Sequence, residues 1–183
     1  MLRFRSLRTV VAAAVTGGAL LAIAPSAMAD TSVMRMRDRC DPATFNAVLG
    51  EGACVNREGK DNVTFAQLIA TLSTEKRHIG WRFKPRTTMV MAGDGVKVRN
   101  IGGEVHTFTR VKRFGGGFVP ELNELLGLEP VPECLAPPSN TNRFVESGDV
   151  TRFHTGHATA VPSGTTHWEC CIHPWMKATI VVQ

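Results

Sequence analysis

The chain has 183 residues, of which 43% are hydrophobic and 20% are charged, the proportions of one ordinary globular domain with at most a small appendage. Its formal charge is +5, but residues 1–29 contain three arginines and no acidic residue. Without them, 18 Lys and Arg face 16 Asp and Glu, a net charge of about +2. This balance argues against a strongly basic nucleic-acid-binding protein.

Residues 1–29 are predicted to be a signal peptide. Three arginines precede an apolar run over 10–24, and Ala27 and Ala29 place small residues at the positions that signal peptidase recognises. The run is too short and too rich in Gly and Ala to span a membrane comfortably. We therefore expect a secreted or periplasmic protein, without stable membrane insertion once the segment is cleaved.

Residues 30–79 are predicted to form an N-terminal helical extension. Residues 30–39 are polar and basic and indicate a loose lead-in. Pro42 suits the first position of a helix that ends at Gly50, and a second helix begins at Thr64, which has capping-box spacing to the glutamine three residues later. The apolar positions on one face of each helix are Phe45, Val48 and Leu49, then Phe65, Leu68, Ile69 and Leu72.

The chain contains five cysteines, an odd number. In an oxidising compartment thiols form disulfides or bind a metal, so at least one thiol is left unpaired. Cys40 and Cys54 bracket the first helix and are natural partners. The remaining cysteines are Cys134, Cys170 and Cys171.

From residue 80 onward the sequence changes to short runs of alternating apolar and polar residues with turns between them. Residues 112–149 interrupt these runs with a long insertion rich in Gly and Pro, which has one helical turn near 121–126. Several short strands with regular turns predict an all-β sandwich over residues 80–183. The predicted strands are 89–91, 96–100, 105–111, 150–154, 157–161, 165–170 and 177–182.

One short loop carries three residue types that bind soft metals. Cys170, His173 and Met176 follow one another at spacings of three residues, between two predicted strands. His106 supplies a second imidazole at the start of a strand, after a pair of glycines. Two His, one Cys and one Met are the ligand set of a blue-copper centre, because thiolate and thioether suit Cu(I) while imidazoles also suit Cu(II).

These segments resemble the cupredoxins, the small blue copper proteins. Residues 164–173 are similar to the last ligand-bearing strand of plastocyanin-like members, and the Cys-x-x-His-x-x-Met loop with Pro174 is more like amicyanin. Residues 98–108 resemble the first-histidine segment, and 81–85 the strand before it. The resemblance implies an eight-stranded Greek-key β-sandwich with copper near one end, here with an N-terminal α-helical hairpin extension.

Strand alternation favours Cys170 over Cys171 as the metal ligand, because Cys170 shares a strand face with Trp168, which should be buried. Cys171 then faces the other way and is predicted to pair with Cys134, which would tether the insertion beside the metal loop. Thr107 stands where many members of the family have an Asn that braces the loop. A threonine hydroxyl can offer a hydrogen bond there.

The resemblance implies outer-sphere electron transfer without enzymatic activity, by a monomer that cycles one copper ion between Cu(II) and Cu(I). His173 would present its ring edge at the surface, with Pro174 and Trp175 as an apolar rim for a redox partner protein of unknown identity. The main alternative is a secreted copper carrier or buffer without an electron-transfer role. A copper enzyme would need further histidines, including one beside Cys170, and a metal-free adhesion or structural domain would leave Cys170 without a metal.

Overall fold

The computed structural model describes residues 31–55, 62–157 and 159–183. The predicted signal peptide at 1–29 lies outside the described residues. No helix in the described part is long and apolar enough to cross a membrane. The elements, in chain order, are β1 (Thr31–Arg37), α1 (Pro42–Leu49), α2 (Phe65–Glu75), β2 (Arg82–Lys84), β3 (Thr87–Val90), β4 (Gly95–Asn100), β5 (His106–Val111), α3 (Pro120–Leu126), α4 (Pro132–Leu135), β6 (Asn142–Val145), β7 (Val150–His154), β8 (Gly164–Glu169) and β9 (Lys177–Val182).

Two sheets form a β-sandwich, as the sequence predicted. One has the strand order β2-β1-β4-β7 and the other β3-β9-β8-β5-β6. Alternate residues of each strand point between the sheets, where aromatic rings from both sides meet. The ring of Phe108 stacks on Trp168 with centroids 4.4 Å apart and meets Phe83 edge-on at 5.4 Å, while Phe153 packs against Trp168 at 5.0 Å.

The expected loose lead-in at residues 30–39 is wrong, because residues 31–37 form strand β1. β1 pairs in parallel with β4 and antiparallel with β2, so it lies inside one of the two sheets. Met34 and Met36 alternate with Arg35 and Arg37, and both methionines are fully buried. Buried methionine and outward arginine alternate here with the period of two that is typical of a half-buried strand.

The two predicted helices are present with the expected ends. Pro42 occupies the first turn of α1, and Thr64 caps α2 with both hydrogen bonds of the capping box. Phe45 is fully buried, as predicted, but Val48 and Leu49 are 59% and 54% exposed. Only one edge of α1 therefore faces the core, because this two-turn helix lies against the sandwich at its Phe45 side.

The predicted insertion at 112–149 contains more structure than expected. Its predicted helical turn is α3, but the insertion also holds α4 and a strand, β6, which pairs with the outer edge of β5. β6 is only four residues long, too short for a clear alternating pattern. The predicted strand at 157–161 is wrong, since the described residues of this segment form turns and bends, apart from an isolated bridge of Val161 to Thr155.

Candidate metal centre

The sheet topology brings distant parts of the chain to one end of the sandwich. β5 and β8 are antiparallel neighbours, with Thr109 opposite Glu169. The start of β5, at His106, therefore lies beside the loop that follows β8. The first imidazole and the Cys170 loop meet because of this pairing, although they are 64 residues apart.

Three predicted ligands converge in the interior. Nδ1 of His106 lies 3.8 Å from Sγ of Cys170, and Nδ1 of His173 lies 3.7 Å from the same sulfur. The two Nδ1 atoms are 3.2 Å apart. His106 and Cys170 are fully buried, and His173 is 3% exposed. One thiolate and two imidazole nitrogens within such distances form a donor set that fits a single metal ion.

The loop itself is closed by backbone hydrogen bonds. The amide of Cys170 donates to the carbonyl of Met176 at 3.1 Å, and the amide of Met176 donates to the carbonyl of His173 at 2.8 Å. Met176 is buried at the end of this loop, 1% exposed. Its place at the end of the loop that carries Cys170 and His173 suits the predicted role of a fourth, weak ligand, which stays a prediction.

A carboxylate faces the outer nitrogen of each imidazole. Oδ2 of Asp38 lies 2.9 Å from Nε2 of His106, and Oε1 of Glu104 lies 3.5 Å from Nε2 of His173. When Nε2 donates its proton to a carboxylate, the Nδ1 lone pair is free to bind a metal, so both contacts favour the metal-binding tautomer. The indole of Trp81 donates to Glu104 at 2.5 Å and holds that carboxylate in place.

Asp38 is positioned by the glycine turn before β5. Its carboxylate accepts the backbone amides of Gly103 at 2.9 Å and Glu104 at 3.1 Å. A β-carbon on Gly102 would lie only 1.8 Å from Oδ2 of Asp38, and one on Gly103 would lie 2.4 Å from the carbonyl oxygen of Val55. Both glycines are therefore required by the close approach of β1 and the α1 segment to this turn.

Sequence reasoning missed Asp38, Glu104 and Trp81 as parts of the site. Asp38 fell in the segment expected to be a loose lead-in. The alternation of Met34 and Met36 could have revealed β1, and Asp38 would then have stood at the end of a strand next to the sandwich core. Glu104 lies two residues before His106, but nothing local indicates that it faces a different histidine.

These contacts change the proton affinities of the candidate ligands in the metal-free protein. Burial disfavours a charged His106, but the hydrogen bonds to Asp38 and Cys170 outweigh it and raise its pKa to about 9. For His173, burial is likewise outweighed, here by the charge of Glu104 and the contacts with Cys170, and the pKa rises to about 10. Burial would raise the pKa of the Cys170 thiol, but hydrogen bonds from both imidazoles hold it well below its usual range.

Thr107 braces the thiolate loop from the neighbouring strand. Its backbone amide donates to Sγ of Cys170 at 3.3 Å, and its hydroxyl accepts the amide of Cys171 at 2.6 Å. All these groups are buried. The threonine therefore makes the kind of hydrogen bond that the resemblance attributes to an asparagine at this position.

Cys171 turns away from the candidate ligands and is covalently bound to the insertion. Disulfides join Cys40 to Cys54 and Cys134 to Cys171, the same pairs as in the sequence interpretation, and Cys170 is the free cysteine. The insertion packs closely over this point, since a β-carbon on Gly117 would lie 1.7 Å from the carbonyl oxygen of Cys171.

The structure does not expose the ring edge of His173, contrary to expectation. The side chain is 4% exposed because Glu104 covers its Nε2 and the ring of Trp175 packs edge-on against it at 5.3 Å. Pro174 is buried too, and Trp175 is half-buried. Of the three residues predicted to form the electron-transfer surface, only Trp175 reaches the solvent appreciably.

No protein-family model matches the chain, and no curated protein matches it. The similar solved structures include a purple cupredoxin and mutants of amicyanin. A purple cupredoxin from Nitrosopumilus maritimus is 13% identical with a TM-score of 0.41, over 83% of this chain and 99% of that one. A mutant of amicyanin with Cu(I) is 15% identical with a TM-score of 0.35, over 56% of this chain and 73% of that one. Since these values are low, the function proposed below depends on the residues of the site.

Proposed function

We propose that the chain binds one copper ion through His106, Cys170 and His173, with Met176 as the weak fourth ligand, and that it carries electrons outside the cytoplasm. The observation that carries this proposal is the buried cluster of one free thiol and two imidazole nitrogens. Copper bound there would supply one-electron chemistry, as Cu(II) and Cu(I).

The donor set suits copper for chemical reasons. A thiolate and a thioether favour Cu(I), while two imidazoles are good ligands of both oxidation states. A structural zinc site, by contrast, usually has four strong ligands, and a thioether is a poor fourth ligand for zinc. The combination of Cys170, two histidines and a neighbouring methionine therefore favours copper over zinc.

Burial and hydrogen bonding suit electron transfer better than catalysis on a bound substrate. The donor side chains are shielded from water, so the described residues offer no wide opening at the metal through which a substrate would enter. The hydrogen bonds of Asp38, Glu104 and Thr107 fix the ligands from outside. Ligands held in this way change little between oxidation states, which favours rapid one-electron exchange.

The proposal includes the location and the partner. A signal peptide at 1–29, two disulfides and five cysteines with one left free agree with a protein that folds in an oxidising compartment. We propose a secreted or periplasmic monomer that exchanges electrons with a redox protein.

The deciding experiment is the visible spectrum of the purified mature chain after addition of one equivalent of Cu(II). The proposal expects an intense thiolate-to-copper band that disappears on reduction with ascorbate and returns on reoxidation. A chain that binds only Cu(I), stays colourless and cannot be reoxidised without losing copper would contradict electron transfer and support the copper carrier instead. A chain that binds no copper would refute both.

A further inference from the structure

The outward-facing strand positions of one sheet are strongly basic. The outward-facing positions of β1, β2 and β4 include six Arg or Lys residues, and Arg152 on β7 adds a seventh. None of the four strands of this sheet contains an Asp or Glu at any position, and all four lie wholly within the described residues. The six residues are Arg35, Arg37, Arg82, Lys84, Lys97 and Arg99; with Arg152 they form the basic face.

The strand register places like charges directly opposite one another. Arg35 stands between Lys84 on β2 and Arg99 on β4, and Arg37 stands opposite Arg82. Like charges in directly paired positions destabilise a sheet. The arrangement therefore works against folding, and an anionic surface bound to the face would relieve the repulsion.

The charge is segregated, although the described residues taken together are nearly balanced. The described residues contain 16 Lys and Arg and 13 Asp and Glu. Seven of the basic residues lie on the basic face, which leaves nine against 13 acidic residues over the rest of the described chain. The basic face is thus positive, and the rest of the described chain is negative. The small net charge of the described residues does not reveal this separation.

The basic face ends next to the candidate metal centre. Arg37 is its last residue on β1, and the next residue, Asp38, contacts Nε2 of His106. A cleft lined by four arginines and one acidic residue, Glu75, continues the positive surface beyond the strand ends; the arginines are Arg39, Arg77, Arg82 and Arg86. The ring of His106 is buried, like that of His173, but its Nε2 contacts the carboxylate of Asp38, the residue that directly follows Arg37.

We propose that the basic face is the docking surface for the acidic face of a redox partner protein, which would exchange one electron with the bound copper through the His106 side. This inference rests on the proposed function. Opposite charges accelerate encounter and orient the partners without requiring tight binding, which suits a carrier that must dissociate after each electron. Val33 and Val150, 39% and 43% exposed, add small apolar contacts among the charges.

The test compares two variants with the same change of charge. The face variant carries Arg35→Glu and Arg99→Glu, both exposed and on adjacent strands. The control variant carries Lys112→Glu and Arg113→Glu, which are exposed after the end of β5, in the other sheet. Neither pair touches the candidate ligands, and far-UV circular dichroism with thermal unfolding verifies that both variants fold.

The first measurement is the rate at which the reduced, copper-loaded protein is oxidised by anionic ferricyanide, divided by the rate with the cationic oxidant tris(phenanthroline)cobalt(III). In each reaction one electron leaves the copper; ferricyanide becomes ferrocyanide and the cobalt complex becomes Co(II). We expect the face variant to lower this ratio about tenfold at low salt and the control variant to lower it less than about twofold. Equal effects of the two variants would overturn the proposal, because only net charge would then matter.

The second measurement is binding of the full chain, with and without copper, to poly-L-glutamate as a probe of acidic protein surface. Anionic phosphatidylglycerol vesicles and duplex DNA are compared at the same salt concentration. The proposal expects poly-L-glutamate binding that the face variant loses and the control keeps. Tighter binding of vesicles or DNA that depends on the face would overturn it in favour of a lipid or nucleic-acid surface. Failure to take up copper would refute the proposed function, while this binding measurement would still decide whether the face docks an acidic protein.

Discussion

The two sides of the candidate metal centre are built in opposite ways. On the side of the loop after β8, seven consecutive residues hold Cys170, His173 and Met176, and hydrogen bonds within the loop close it. On the side of β1 and β5, only His106 is a candidate ligand, and its surroundings come from segments far apart in the chain, including Asp38 and Glu104.

This difference suggests that the choice of metal and the tuning of its affinity and redox potential depend on different parts of the chain. The loop side supplies most of the candidate donor atoms, so it would decide which metal fits. The β1 side supplies negative charge and fixed hydrogen bonds, so it would decide which ring nitrogen coordinates and how strongly each oxidation state is held. Substitutions on the two sides should therefore fail in distinguishable ways.

Removal of the thiolate on the loop side should have the largest effect. Cys170→Ser should abolish the visible thiolate-to-copper band completely, because no other free cysteine is available. The measurement is the spectrum together with the copper content per chain. Met176→Leu is the matched control in the same loop and should retain colour. If Cys170→Ser retained the band and the full copper content, the ligand assignment would be wrong.

Copper uptake should depend steeply on pH. The metal-free protein carries protons on His106 and His173 at pH 7, since their pKa values are about 9 and 10, and both must be lost on binding. We expect about two protons released per ion at pH 7, and affinity that rises about a hundredfold per pH unit until His106 deprotonates. Titration in weak buffer with a pH indicator measures the release.

The same pKa shifts affect the stability of the metal-free fold. Both imidazoles have a higher pKa when folded than the usual 6.5, so their contribution to the stability of the fold is complete below about pH 6.5 and is lost as the pH rises through 9 and 10.

If copper uptake released no protons at pH 7, both imidazoles would already be neutral in the metal-free protein, and the raised pKa values of His106 and His173 would be refuted.

Neutralising the carboxylate on the β1 side should weaken copper binding without removing the colour. Asp38→Asn should lower Cu(II) affinity about 10–100-fold and raise the reduction potential, because a negative charge beside His106 favours Cu(II). Glu104→Gln should have a smaller effect, since its contact with His173 is 3.5 Å rather than 2.9 Å. Competition with a copper chelator and a redox titration measure the two quantities.

Asp149→Asn is the control for this pair, because Asp149 is an exposed acid outside the site. It should leave both the affinity and the potential unchanged. An unchanged potential in Asp38→Asn would mean that this carboxylate serves only to hold β1 in place.

The smallest expected effect concerns the hydrogen bond that joins Thr107 on β5 to the loop after β8. Thr107→Val removes the hydroxyl that accepts the Cys171 amide at 2.6 Å and leaves that buried amide without its partner. We expect a loss of about 1–3 kcal/mol in the free energy of unfolding, measured by urea denaturation of the metal-free protein. Thr107→Ser keeps the hydroxyl and should lose less. If Thr107→Val lost no more stability than Thr107→Ser, the hydroxyl would not be the main contribution of Thr107 to the stability of the fold.

The comparison also explains what the sequence could predict. The candidate ligands on the loop side could be predicted because they lie within seven consecutive positions. Their arrangement requires only a strand before and a strand after the loop. The capping box at Thr64 and the alternation in β8 were equally local. Each of these features depends on backbone geometry that neighbouring residues determine.

The contacts on the side of β1 and β5 could not be predicted because they depend on how distant segments of the chain pack. Asp38 reaches His106 only because β1 pairs with β4. The cover over Nε2 of His173 depends on Glu104, which Trp81 holds in place, and both residues are far from His173 in the chain. The basic face arises in the same way. Its residues are scattered over four strands, and only their register turns them into one surface.

The disulfide between Cys134 and Cys171 has a consequence for the order of assembly. In the reduced chain, two adjacent thiols at Cys170 and Cys171 would compete for the same ion, since soft metals bind any available thiolate. Once Cys171 is oxidised, a single sulfur remains at that point. If the chain binds copper as proposed, maturation would therefore proceed with fewest side products when disulfide formation precedes metal insertion.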